Sequence, residues 1–176
     1  HPELSFQEYN TQAFILEALR AEGIECSVVA GTGVLAKIEG ERGNLKRAVV
    51  LRADIDALPI VEQNAVEYRS EREGVMHACG HDVHTAVLFG VLQSMNRTRD
   101  FEGTLFGLFQ PGEELNPGGA SLVLKEDPFK GYDIAAVIGE HVDSHLEVGE
   151  IGICPGTFMA SNDELRFTIT GRGGHA

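Results

Sequence analysis

Residues 48–56 read Ala-Val-Val-Leu-Arg-Ala-Asp-Ile-Asp: an almost wholly apolar run, 48–52, followed by two carboxylates, Asp54 and Asp56. Such a run is expected of a strand buried on both faces that delivers polar residues at its C-terminal end. The pattern recurs twice. Residues 104–109 end in Gln110-Pro111-Gly112-Glu113-Glu114, and residues 134–138 end in Glu140-His141. Helical texture separates these runs, over 84 to about 95 and again over 120–125. Strand, polar tip and helix in alternation predict an α/β fold, a three-layer αβα sandwich with a largely parallel sheet. In open sheets of this kind ligands gather at the C-terminal ends of the strands.

Outward from that centre, residues 8–22 read as an amphipathic helix. Ala13, Phe14, Ile15, Leu16 and Leu19 recur at roughly helical spacing, and Gly23 follows as a C-cap signal. Two β-prone runs come next, 26–29 and 34–38, with Gly31 and Gly33 marking a turn. Beyond Pro155 the texture changes. Over 163–170, Leu165, Phe167 and Ile169 alternate with Arg166, Thr168 and Thr170, the pattern of a half-buried strand in an antiparallel sheet. We therefore expect a first domain over 1–158 and the start of a second over 159–176. One strand cannot bury its apolar face alone, so the sequence is expected to be part of something longer.

Charge narrows the function. With 14 Lys+Arg against 27 Asp+Glu the formal charge is −13, which repels nucleic acid and anionic membrane surfaces with no basic patch to offset it. No run approaches the ~20 apolar residues of a membrane span, and the N-terminus lacks signal-peptide order. The chain begins at His1, which leaves room for an upstream segment. Cys26, Cys79 and Cys154 form an odd, widely spaced set rather than a disulfide framework, which favours a reducing compartment, the cytoplasm.

The chemistry is concentrated in residues 76–84, Met-His-Ala-Cys-Gly-His-Asp-Val-His. A thiol, several imidazoles and a carboxylate within nine residues point to metal. Cys79 and His81 can converge on one or two cations if Gly80 lets the backbone turn, and thiolate with imidazole suits zinc or its neighbours. In Glu113-Glu114, adjacent carboxylates can point apart, one binding a cation while the other takes a proton from water that the cation has acidified. His141 is a ligand candidate by its place at a strand tip, whereas His145 reads as structural. Asp54 and Asp56 share a face, and either orient a ligand imidazole or cap the loop around Pro59; Asp56 is the better candidate for orienting.

Five segments in order along the chain, 1–8 (His-Pro-Glu-Leu-Ser-Phe-Gln-Glu), 51–59 (Leu-Arg-Ala-Asp-Ile-Asp-Ala-Leu-Pro), 77–85 (His-Ala-Cys-Gly-His-Asp-Val-His-Thr), 110–114 (Gln-Pro-Gly-Glu-Glu) and 171–176 (Gly-Arg-Gly-Gly-His-Ala), resemble the M20 metallopeptidase family. The similarity is to its amidohydrolase branch: hippurate hydrolases, hydrolases of indole-acetyl amino acids, N-acetyldiaminopimelate deacetylases and aminoacylases. The resemblance implies a zinc-exopeptidase type of sandwich, with 1–158 the N-terminal part of the metal-binding catalytic domain. It implies two divalent cations (Zn, Mn, Co or Ni) held by Cys79, His81, Glu114 and His141, with one more His far downstream, and Glu113 as general base. Asp56 and Asp82 would stand behind the ligands.

Residues 159–176 would open an inserted α+β lid that mediates homodimerisation, and His175 would steady the substrate carbonyl or oxyanion. The implied activity is hydrolysis of the amide bond of a small N-acylated amino acid; the alternative is a metal-binding but catalytically inactive fragment or homologue. Many relatives carry Ala where this chain has Gly112, and Gly-Leu-His where it has Glu140 before His141. Gly112 is expected to loosen the loop before the base slightly, and Glu140 adds a carboxylate beside His141.

Overall fold

In a computed structural model, residues 1–159 and 163–175 are described. They form two compact units, 1–142 and 143–176. Residues 160–162 and 176, which belong to the expected second domain, lie outside the described residues.

The first unit carries α1 (Tyr9–Ala21), β1 (Glu25–Val29), β2 (Gly33–Glu39), β3 (Arg47–Asp54), α2 (His81–Thr98), β4 (Thr104–Gln110), α3 (Gly119–Glu126) and β5 (Asp133–Gly139). The strands make one five-stranded sheet in the order β1-β2-β4-β3-β5. β3 runs parallel to both β4 and β5, as the repeated strand-and-helix texture requires. β1 and β2 are antiparallel to each other, and β2 is antiparallel to β4, so the sheet is mixed rather than largely parallel. For β1 and β2 the physical reason lies in residues 30–32: a connection that short joins antiparallel strands only, because parallel neighbours need a long crossover.

Alternation along the strands builds the three layers. Val34, Ala36, Ile38, Ala53, Leu105 and Phe109 pack with Ile15 and Leu19 of α1 and Leu88 and Leu92 of α2. Leu35, Ala48, Val50, Phe106 and Leu108 face the other way, against Val123 of α3 and Phe129 and Tyr132 after it. Every residue of β4 is buried, which accounts for its unbroken apolar run.

α2 starts one turn earlier than the apolar periodicity shows. Gly80, with φ +84°, precedes it, and the amides of Val83 and His84 bond to the Gly80 carbonyl. A side chain at position 80 would meet Val142 at 2.4 Å, so glycine is required both for the turn and for the close approach.

In the second unit no helix or strand occurs among the described residues. Residues 163–170, expected as a strand, have no ladder partner, and Leu165, Phe167 and Ile169 are exposed. A strand's ladder bonds need a neighbouring strand, and none lies there among the described residues. No helix among the described residues is long and apolar enough to cross a membrane. All three cysteines are free.

Candidate metal centre

The tips of β3 and β4 are joined directly, by the Ile55 amide donating to the Gln110 carbonyl at 3.1 Å. Around that junction Cys79, His81, Glu113, Glu114 and His141 converge, in overlapping groups whose ligand-type atoms lie within 4.8 Å of one another. Cys79 and His81 flank Gly80 at the start of α2, the glutamates follow β4, and His141 follows β5.

Hydrogen bonds fix the imidazole tautomers. His81 Nδ1 lies 2.9 Å from the Asp56 carbonyl, which can only accept, so Nδ1 carries a hydrogen and the Nε2 lone pair is left for the cluster. His141 Nδ1 likewise bonds to the Val142 carbonyl at 2.8 Å, which leaves its Nε2 facing the Cys79 thiol at 3.3 Å. The His81 ring is 1 % exposed, and its Nε2 has no hydrogen-bond partner. Its neighbours are Asp54 Oδ2 at 3.6 Å and Glu114 Oε1 at 3.7 Å. Those separations are too long for hydrogen bonds, yet they match two ligand atoms sharing a cation at ~2 Å from each. A buried, unpartnered nitrogen among carboxylates, a thiol and a second imidazole fits a divalent cation.

The electrostatics agree with this fit. Burial pushes the Cys79 thiol up to about 11, and the carboxylates of Glu114 and Glu113 add to it. Burial also raises Glu113, with the negative charges of Glu114 and Asp54 acting in the same direction. His81 would be lowered by burial, but Asp56, Asp54 and Glu114 reverse that and raise it. Beside burial, the neighbouring carboxylates act in the same sense on all three groups, an excess of negative charge that a bound cation would neutralise.

The segment before α1 supports this centre. Burial would raise the Asp56 carboxyl, but hydrogen bonds from His81, Ser5 and the Glu114 and Glu113 amides hold it at about 2. Ser5 Oγ donates to Asp56 Oδ2 at 2.6 Å, and the Glu114 amide donates to the same oxygen at 3.0 Å. Glu8, fully buried, accepts the Gly112 amide at 2.8 Å and the Thr32 hydroxyl at 2.5 Å. Gly112 itself has φ +55°, and an added side chain would come 2.3 Å from the Phe6 ring. The loop before the glutamates is thus gripped on both sides, contrary to the loosening expected from glycine. Glu3 in turn accepts the Asn10 and Thr11 amides at the start of α1.

Asp54 bonds Arg52 at 2.7 Å and His84 at 2.6 Å. Asp82 is exposed and lies outside these groups of ligand atoms; with His77 it lines a cavity of about 470 Å³ formed with the N-terminus and the loop after β3. Glu140 is exposed. His145 pairs with Asp143 at 2.8 Å, and His175, in the second unit, is exposed. Sequence reasoning gave no role to Ser5 or Glu8, and counted His84 only among the imidazoles of 76–84. The spacing of His84 three residues after His81, on one face of α2, is a signal that was there to find.

Comparison with known proteins gives this arrangement its context. Residues 50–174 match peptidase family M20/M25/M40. An N-acyl-L-amino acid amidohydrolase of Geobacillus stearothermophilus is 46% identical over 99% of this chain and 47% of its own length. An N-acetyl-L-cysteine deacetylase of Bacillus subtilis is 43% identical over 100% of this chain and 42% of its own. Among solved structures, a dinuclear metal-binding peptidase of the M20 family from Bacillus subtilis superposes with a TM-score of 0.79 at 43% identity, covering 85% of this chain and 41% of that one. The chain therefore spans less than half the length of these relatives. With a match over most of its residues and a fold shared at high identity, the chain belongs to peptidase family M20/M25/M40.

Proposed function

We propose that this protein hydrolyses the amide bond of N-acyl amino acids or related small amides and peptides, with Cys79, His81, Glu114 and His141 holding two divalent cations drawn from Zn, Mn, Co and Ni. The observation that carries the reading is His81 Nε2, buried and without a partner between Asp54 and Glu114. The dinuclear centre named for the Bacillus subtilis peptidase and the N-acyl substrates named for the two relatives support it.

Bound there, such cations supply Lewis acidity, polarising the scissile carbonyl and acidifying water. The protein's own part is positional and protonic. Asp56 holds the His81 ring by its carbonyl, so that the imidazole presents the same nitrogen throughout the cycle. Glu113, raised by burial and by the charges of Glu114 and Asp54, takes a proton from the attacking water and returns it to the leaving amine. His175 steadies the carbonyl oxygen as charge develops on it. In this reading 1–158 is the catalytic domain's first part and 159–176 opens a lid through which the cytoplasmic protein forms a homodimer.

The test is a pair of variants in the full-length protein, assayed on N-acetyl, N-benzoyl and N-succinyl amino acids with each metal. Glu113→Gln should keep its metal and lose hydrolysis by about 10²–10⁴-fold. Activity retained in that variant removes Glu113 as the base, and metal content unchanged in Cys79→Ala removes the centre.

A further inference from the structure

His84 forms with Asp54 and His81 a further group of ligand-type atoms within 4.8 Å of one another and is fully buried, yet both of its ring nitrogens are already committed. The Val142 amide points at Nε2 from 3.0 Å, and an amide can only donate, so Nε2 is an acceptor. The hydrogen is then on Nδ1, which donates to Asp54 Oδ1 at 2.6 Å. Asp54 is fixed from its other oxygen by Arg52 at 2.7 Å. One chain of contacts thus runs from the end of β3, through a ring on α2, to the backbone following β5.

That last link matters because the tip of β5 has few other holds. β5 is an edge strand, most of its residues are exposed, and among the described residues the His141 ring hydrogen-bonds within its own loop and to Cys79. The His84 and His141 rings lie edge-on, 4.6 Å apart at 63°, so a shift of either displaces the other. We propose that His84 is a positioning residue for the metal centre, setting through the Val142 amide where His141 stands, and is not itself a ligand. The inference rests on the reading of His141 as a ligand.

The test compares His84→Asn and His84→Gln with wild type and Cys79→Ala, in the full-length protein titrated with Zn(II) and Co(II). Asparagine places an amide donor where Nδ1 stood and keeps the Asp54 bond, but it is too short to reach Val142. Glutamine supplies one donor and one acceptor along the whole span. His84→Asn should bind as many metal equivalents as wild type but about 10–100-fold more weakly, with altered Co(II) absorption bands, and His84→Gln should recover most of the affinity.

A lost metal equivalent in either variant makes His84 a ligand and overturns the inference, as does wild-type affinity in His84→Asn. Should His84→Asn not fold, His84→Gln decides: full equivalents at affinity within about tenfold of wild type support positioning, and anything weaker or fewer overturns it. If Cys79→Ala binds metal as wild type does, the centre itself is wrong and the role of His84 falls with it. If Cys79→Ala loses metal while His84→Asn binds normally, only the positioning role fails.

Discussion

β4 and β5 are spelled alike, Thr-Leu-Phe-Gly-Leu-Phe-Gln against Asp-Ile-Ala-Ala-Val-Ile-Gly, and both run parallel to β3. Their surroundings are opposite. β4 lies between β2 and β3 with helices over both faces and is buried throughout, whereas β5 is an edge strand paired, among the described residues, with β3 and leaves Val137 and Ile138 exposed. The difference continues into their tips. The β4 loop is held by Glu8 through Gly112 and by Asp56 through Glu114, while the β5 loop is held by the Val142–His84 bond and the Cys79–His141 approach. An apolar strand text states what a strand can bury; its neighbours decide what it does bury.

The largest effect should come from the strands themselves. Phe109→Ala in β4 should cost about 3–5 kcal/mol in urea unfolding, against less than about 0.5 for Val137→Ala in β5. Equal losses would mean that β5 is covered in solution. Next, Glu8→Ala leaves the Gly112 amide and the Thr32 hydroxyl unpartnered and should cost about 1–3 kcal/mol, measured in the same way. A neutral outcome would remove the second anchor of the β4 loop.

Asp56 gives the comparison a pH dependence. Its carboxyl is held at about 2 against an ordinary 3.8, so the folded state binds the proton less readily than the unfolded chain. The stabilisation, about 2 kcal/mol, is complete above the ordinary value and fades as pH falls toward the folded one. Wild type minus Asp56→Asn should therefore shrink between pH 4 and 2; a difference that grows on acidification would refute it. Smallest, Glu3→Ala removes the acceptor at the start of α1 and should cost about 1 kcal/mol, read as a lower melting temperature.

Much of this was legible in the sequence because strands buried on both faces leave no polar residue until their ends. That marks Glu113, Glu114 and His141 as candidates at strand ends, while their grouping with Cys79 and His81 came from the family resemblance alone. The start of α2 was not legible, since 77–84 is polar chemistry without apolar period and Gly80 alone marks the boundary. Nor were Ser5 and Glu8: a buried carboxylate is written with the same letter as a solvated one, and only the Gly112 amide and the Asp56 carboxylate reveal the difference. The directions of β1 and β2 were set by a turn too short for a crossover. The strand over 163–170 has the right alternation, but a strand exists only with its partner.

The Cys79–His141 approach spans 62 residues of chain and closes at 3.3 Å only when β5 has docked on β3. Bringing such distant segments together carries a loop-closure entropy that the local turns and helices do not. The thiol–imidazole pair is therefore a clock for folding: with Co(II) added during refolding, the part of the absorption that needs His141 would appear only after the edge strand has arrived, and its lag would time that arrival.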